Sequence, residues 1–201
     1  MSVSDELEKQ LDRISSPLYR ARVSPNTLRE ELLQLHTKLD RQPDDERKRR
    51  LTSKILYYRI LVAEELRDRD AVIDLSTAFL TEFPDYREGF VNVLFPRIEA
   101  LHAAARHDAE PAVVTLGIES PYLTIVDKLR LINHLARTHP EDVARIPNAR
   151  NVVTDAWSDL VRPGHALSQT DPPSDIAAQI HVLLAEVAVQ NESERRRLLG
   201  D

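Results

Sequence analysis

Apolar residues recur every three or four positions along most of this chain, which is the spacing of an amphipathic α-helix. In the first segment, "SDELEKQLDRIS", this spacing places Leu7, Leu11 and Ile14 on one face. Pro17 follows, and a residue before proline is disfavoured in the helical conformation. The pattern predicts a first helix that buries one narrow stripe.

The next two segments predict longer helices. Thr27 and Glu30 have the spacing of a capping box and open a helix that runs to Asp40, in which Leu33 widens the apolar stripe. A further helix is predicted over residues 45–67. Its second half is apolar around most of its circumference, so we expect it to be the longest helix and to lie in the core.

A short turn, "RDRD", then separates this helix from another. Asp70 is expected to cap a helix that runs from Ala71 to about Phe83 and is ended by Pro84. Two helices joined by so few residues pack antiparallel. The sequence therefore predicts a helical hairpin.

The hairpin resembles a tetratricopeptide unit over Thr52 to Asp85. Ala71 and Ala78 are seven residues apart, Leu75 lies between them, and Pro84 follows. The two small residues let one helix approach its partner closely while leucine fills the space between them. The resemblance implies a short α-solenoid that binds another protein.

Two positions depart from that repeat. The glycine of the first repeat helix falls on Arg59, and Pro84 comes one residue late. A shift by one repeat length places Pro96 inside the next first helix, so no second unit is visible. Repeat proteins need several stacked units to bury their apolar faces. A generic helical hairpin in an irregular bundle is therefore favoured over a short α-solenoid.

Prolines divide the rest of the chain. Asp85 and Glu88 have capping-box spacing, and Pro96 is expected to kink or split the helix that they open. A helix over Glu110–Leu116 is closed by Gly117. Its segment "AVVTLGI" is the one candidate for a β-strand.

Further helices are predicted towards the C-terminus. Ser120 and Pro121 are expected to start a helix that ends near Thr138, and a short turn begins at Pro140. The remaining predictions are a helix around Trp157, a surface loop over 162–174 and a final helix over 175–199. The fold class is therefore all-α, with about seven to nine helices in a single domain over 1–201.

Composition narrows the possible functions. The chain has no cysteine, which excludes disulfides, thiolate metal sites and cysteine nucleophiles. The net charge is −6, and residues 71–201 hold 12 basic against 19 acidic side chains, so an extended basic face for nucleic acid is not expected. No secretory signal or long apolar segment is visible, so a cytoplasmic protein without membrane insertion is expected.

The candidate catalytic and metal-binding patterns are incomplete. Glu99 and His102 have the spacing of a metal-binding pair, but a second copy is missing. His102 and His107, like His134 and His139, are five residues apart, which does not align two ligands on one helical face. We expect surface or helix-end histidines, no catalytic residue that the sequence identifies, no metal and no cofactor.

The function favoured by the sequence is a non-catalytic protein-interaction module, such as an adaptor, assembly factor or complex subunit. A groove beside the hairpin would receive an amphipathic helix of the partner. One alternative is a nucleic-acid-associated regulator that uses the basic run Arg47–Arg50. The other is a helical enzyme with an unrecognised site. Homodimerisation by exchange of a terminal helix is a further hypothesis. The candidate partner-binding residues are Arg47, Lys48, Arg49, Arg50, Tyr57, Arg59, Phe95 and Pro96.

Overall fold

A computed structural model of the chain describes residues 3–143, 146 and 148–161. The chain divides into two compact units, one ending at Arg106 and the other beginning at His107, which are described separately here as the first and second units. The single domain predicted over 1–201 stays a prediction, as do the loop over 162–174 and the helix over 175–199, which lie outside the described residues.

The first unit is built from helices only. They are α1 (Val3–Ser15), α2 (Pro17–Arg20), α3 (Pro25–Asp40), α4 (Glu46–Glu65), α5 (Arg69–Glu82) and α6 (Arg87–Ala103). In chain order, α3 packs against α1 and α4, α4 against α5, and α5 against α6. Because short turns join α3 to α4 and α4 to α5, these neighbours are antiparallel hairpins.

The second unit is helical as well. It contains a 3₁₀ turn at His107–Ala109 and the helices α7 (Glu110–Glu119), α8 (Ile125–Thr138), α9 (Pro140–Val143) and α10 (Ala149–Val161). The segment "AVVTLGI" lies in α7, and the described residues contain no strand. The all-α prediction is therefore confirmed. The described part of the chain has eight helices longer than one turn and two, α2 and α9, of four residues each.

The predicted apolar stripes of the first unit form its core. Leu7, Leu11 and Ile14 of α1 are buried, and Leu32 and Ile60 are completely inaccessible. With 20 residues, α4 is the longest helix of the described chain, as expected. The prediction for Leu33 is wrong: its side chain is 51% exposed, because α3 turns its Leu28–Leu32–Leu35–Leu39 stripe, and not the neighbouring face, towards α1 and α4.

Helix starts differ from the predictions in the first unit. Ser24, not Thr27, caps α3, and its hydroxyl accepts from the Thr27 N–H at 3.2 Å. Asp68, not Asp70, caps α5 and accepts from the Ala71 N–H at 3.2 Å. Several cap-forming side chains stand within three residues of each other, and the backbone conformation decides which one is used.

The later helices show the same effect. Tyr86 precedes α6 without a side-chain cap, and Thr124 with Asp127 forms the capping box of α8, where Ser120 was expected. The helix α7 continues through the buried Gly117, because Val114 and Ile118 pack into the core on either side of it. Tertiary packing here outweighs the low helix propensity of glycine.

Turns that usually use glycine are made by other residues in the first unit. Arg67 has φ 56°, and the N–H groups of Arg67 and Asp68 donate to the carbonyls of Glu64 and Ala63. This is the Schellman arrangement, which closes α4 with a left-handed residue. Ala105, with φ 55°, closes α6 in the same way. The chain thus forms tight helix ends although it has only four glycines.

Pro96 lies inside α6, which continues unbroken on both sides of it, so the expected split does not occur. Phe95 and Pro96 are both half-buried. Across the described part of the chain, no helix combines the length and the apolar content needed to cross a lipid bilayer.

Candidate functional site

The basic run Arg47–Arg50 occupies the first turns of α4. Arg47 forms ion pairs with Asp5 at 2.8 Å and Glu8 at 2.7 Å, and Arg50 donates to the other oxygen of Glu8 at 2.5 Å. Both acids belong to α1. The ion pairs of the two arginines therefore hold α1 against α4.

The other two cations of the run also contact acceptors in the same unit. Lys48 donates to the carbonyls of Asp40 and Gln42 at 3.3 and 3.2 Å, and Arg49 donates to Asp85 at 2.9 Å. Arg47, Arg49 and Arg50 line a cavity of about 740 Å³ beside Phe83 and Tyr86. A phosphate group bound here would compete with carboxylates of the chain itself.

The contact between Glu8 and the two arginines predicts that the attachment of α1 to α4 depends on pH. The hydrogen bond from Arg47, together with the charge of Arg50, lowers the pKa of Glu8 below its usual value. A carboxyl whose pKa is lower in the folded state stabilises that state at neutral pH. This contribution is lost as the pH falls through the lowered pKa of Glu8.

We expect acidification to weaken the attachment of α1 to α4, and hydrogen exchange of the α1 amides measures this effect. Glu8→Gln should remove part of the dependence of this exchange on pH. Glu6→Gln is the matched control, because the carboxylate of Glu6 lies on the same helix and accepts from the uncharged Gln10. Equal pH profiles for the Glu8 and Glu6 variants would contradict this role of Glu8.

A concave surface of the first unit is a groove of about 1090 Å³ formed by α3, α4 and α5. One face of α4 forms its base, and α3 and α5 form its walls. We call it the α3–α4–α5 groove. Its apolar surface comes from Leu56, Leu75, Ala78 and Phe83. Two of the tetratricopeptide-like residues, Leu75 and Ala78, thus line a groove that could accommodate an apolar side chain.

Arg59 is the half-buried cation of this groove. Its Nη1 donates to Nδ1 of His36 at 2.8 Å. Because a guanidinium has no acceptor, Nδ1 of His36 must be unprotonated, and the proton of the neutral ring lies on Nε2, which faces Asp40 at 3.8 Å. Burial lowers the pKa of His36, which favours the same neutral form. Arg59 is thus held in place by a neutral acceptor.

Within the described part of the first unit, Arg59 forms no ion pair with a carboxylate. Burial lowers the pKa of its guanidinium, and the charge of Asp40 opposes only part of this effect. Around it, the rim of the groove is acidic: Asp44 is 97% exposed, Asp40 is 64% exposed, and Glu82 is exposed on the opposite wall. The groove therefore combines an inner cation with outer carboxylates.

The remaining predicted site residues lie elsewhere. Tyr57 is half-buried, packs edge-on against Tyr58 with ring centroids 5.4 Å apart, and lines a smaller pocket with Leu11 and Asn92. Burial raises the pKa of Tyr57. The residues that line the groove include Lys48, Arg49 and Arg59 but none of Tyr57, Phe95 and Pro96. The structure brings three of the predicted residues together at the groove.

The second unit contains a polar cluster that the sequence did not single out. Glu110 is completely buried at the start of α7. One carboxylate oxygen is 2.8 Å from Nδ1 of His107, and the other is 2.7 Å from Nε2 of His134 on α8. We call these three residues the histidine–glutamate cluster. A buried carboxylate is costly unless it is paired, and both oxygens of Glu110 have an imidazole partner.

A third histidine lies beside the cluster. The rings of His139 and His107 have centroids 5.3 Å apart. Nε2 of His139 is inaccessible to solvent and has no hydrogen-bond partner among the described residues. His107 and His139 lie at helix ends, as expected, whereas the contacts of His107 and His134 with a buried carboxylate were not predicted. The sequence signal was the His-x-x-Glu spacing of His107 and Glu110, which brings both residues to one side of a helix start.

Comparison with protein-family models, curated proteins and solved structures finds no match for this chain. Function must therefore be inferred from the α3–α4–α5 groove and the histidine–glutamate cluster themselves.

Proposed function

We propose that the first unit is a protein-interaction module whose α3–α4–α5 groove binds a segment of another protein through a carboxylate of that segment. The observation that supports this most directly is Arg59, a half-buried guanidinium that donates to neutral His36 and pairs with no carboxylate in the described part of its unit. Arginine binds carboxylates through two parallel hydrogen bonds, which makes it the favoured residue for such recognition.

The position of Arg59 makes a carboxylate ligand favourable. A half-buried cation has lost part of its hydration, and a neutral imidazole replaces only part of that loss. A carboxylate placed in the groove would add charge-assisted hydrogen bonds in a partly desolvated environment, where they are stronger than in water. A side-chain or C-terminal carboxylate would serve equally well.

The rest of the groove indicates what surrounds that carboxylate. The exposed acids Asp40, Asp44 and Glu82 favour basic side chains on either side of it. The apolar residues Leu75 and Ala78 are half-buried and leave room for an apolar side chain of the partner. The proposed ligand is therefore an amphipathic segment with one inward-facing carboxylate and flanking basic residues.

The nucleic-acid alternative would use Arg47–Arg50, and each of these side chains contacts an acceptor of its own chain. The groove supports a protein partner better, because its free hydrogen-bonding capacity is at Arg59. An adaptor or assembly role, a cytoplasmic location and homodimerisation stay predictions from the sequence.

The test is selection of peptides from a displayed random library that includes free C-termini. We expect the full chain to enrich peptides with an acidic residue or terminal carboxylate next to basic and apolar residues. Arg59→Gln should weaken binding of a synthetic selected peptide at least about tenfold, because a hydrogen bond to a charged group contributes about 1.5–3 kcal/mol.

Arg22→Gln is the matched control. It removes one positive charge from an exposed position of the same unit outside the groove, and it should leave the affinity unchanged. Circular dichroism of both variants would verify that the helices are retained. The proposal fails if no peptide is enriched, or if the selected peptides bind the wild type and the Arg59 variant equally.

A further inference from the structure

The histidine–glutamate cluster of the second unit has a donor set that suits a metal ion. We infer that His107, Glu110 and His134 form a binding site for a divalent transition-metal ion such as Zn²⁺. Two imidazoles and one carboxylate are a ligand set used for zinc and for non-haem iron, and each of these donors binds such ions at about 2.0–2.2 Å. This site is independent of the groove in the first unit.

Both imidazoles of the cluster converge on the same carboxylate. Nδ1 of His107 and Nε2 of His134 lie 2.8 and 2.7 Å from the two oxygens of the same carboxylate. Around a tetrahedral ion with ligands at about 2.0–2.2 Å, neighbouring donor atoms are roughly 3.3 Å apart. To bind one ion, the imidazoles have to rotate so that both nitrogens approach the ion as well as the carboxylate.

Binding also requires a change in protonation. An ionised carboxylate can only accept, so the imidazole nitrogens that face Glu110 hold protons in the metal-free protein. To bind a cation, each nitrogen must present a lone pair, and its proton moves to the other ring nitrogen or leaves the site. Acid should weaken metal binding for this reason.

The surroundings of the cluster favour a cation. Glu110 has no exposed surface, and burial of a carboxylate is compensated more fully by a divalent ion than by hydrogen bonds from imidazoles. The side chains of His107 and His134 are 40% and 27% exposed, which provides a path from solvent. Three protein ligands would also leave a coordination position open for water or another ligand.

His139 is the second observation that points to a ligand. Its buried Nε2 has no hydrogen-bond partner among the described residues, and its ring lies against that of His107. Buried polar atoms in folded proteins are almost always paired. After a ring rotation, His139 can supply a fourth ligand or accept a hydrogen bond from metal-bound water.

The elements that hold the cluster pack against each other. His107 and Glu110 are three residues apart across the start of α7, and His134 comes from α8, which packs against α7. Sites placed on packed helices hold their ligands more accurately than sites on loops. A bound ion should therefore raise the melting temperature of the protein, because it binds the folded state.

The test is a titration of the full chain, purified without a polyhistidine tag and freed of metal by a chelator. We expect one Zn²⁺ per chain by isothermal titration calorimetry, an increase in melting temperature, and a visible spectrum of the Co²⁺ form that indicates tetrahedral or five-coordinate nitrogen and oxygen ligands. Affinity should fall at acidic pH.

Variants connect the ion to the cluster. Loss of a residue that only supports a metal ligand weakens metal binding about 10- to 100-fold in other sites. We expect at least as large a loss of affinity from each of His134→Gln, His107→Gln and the isosteric Glu110→Gln. Glu119→Gln removes an exposed carboxylate from the same helix and should bind as the wild type does. Failure of the wild type to bind micromolar Zn²⁺ or Co²⁺ stoichiometrically, or binding that persists unchanged in His107→Gln and His134→Gln, would overturn the inference.

Discussion

Replacing Glu110 with alanine is expected to destabilise the α7–α8 pair by about 2–4 kcal/mol in metal-free protein. The substitution leaves a cavity at a position without any solvent exposure. It also removes the acceptor for His107 and for His134, whose nitrogens lie 2.8 and 2.7 Å from the carboxylate. Loss of packing and loss of two hydrogen bonds therefore act in the same direction.

Two further substitutions separate these contributions. Glu110→Gln keeps the volume and one acceptor, and a neutral imidazole can change tautomer to face the new amide, so we expect a smaller loss than with alanine. Glu119→Ala, on the exposed side of α7, should change stability by less than about 0.5 kcal/mol.

The measurement is hydrogen exchange of peptides from α7 and α8 in the presence of a chelator, which reports local opening free energy in this unit. A loss for Glu110→Ala no larger than that for Glu119→Ala would show that the buried carboxylate does not support the fold.

Replacing Phe79 with alanine is expected to cost about 3–5 kcal/mol in the first unit. Phe79 is completely buried on α5, and its ring packs against Phe83 and Tyr86 with centroids 5.7 and 6.0 Å away. Because α5 packs against both α4 and α6, truncation of the ring leaves a cavity in the core that these helices share. Aromatic pairing adds to the loss of apolar burial.

Chemical denaturation measures this loss of stability. Hydrogen exchange of peptides from α4, α5 and α6 assigns the unfolding transition to the first unit. Phe79→Leu keeps most of the buried volume and should lie between the wild type and the alanine variant. Asp74→Ala changes an exposed residue of the same helix and serves as the control. If Phe79→Ala and Asp74→Ala were equally stable, the position of Phe79 in the core would be wrong.

Helix positions were largely predictable because one local rule generates them. The stripe of Leu7, Leu11 and Ile14 is buried as expected. The starts of helices were less predictable, since Ser24 and Thr27 are both able to cap α3 and the choice depends on backbone angles. Leu33 was misplaced because periodicity alone does not determine how far a helix is rotated about its axis.

The candidate sites were only partly predictable. Arg59 was identified from the sequence, but its partner His36 lies 23 residues away on a neighbouring helix. The basic run Arg47–Arg50 is visible in the sequence, whereas its contact with Glu8 requires α1 to pack beside α4, 39 residues from Arg47. Long-range electrostatic pairs of this kind have no local signature.

The sequence by itself determined an all-α fold without cysteine chemistry, because helical periodicity and composition are properties of neighbouring residues. It also placed His107 and Glu110 three residues apart. Only the tertiary structure decided that Glu110 is buried and that His134 reaches it from α8. Burial and the meeting of residues distant in sequence depend on how helices pack, and that packing is what converts an ordinary helix start into a candidate metal site.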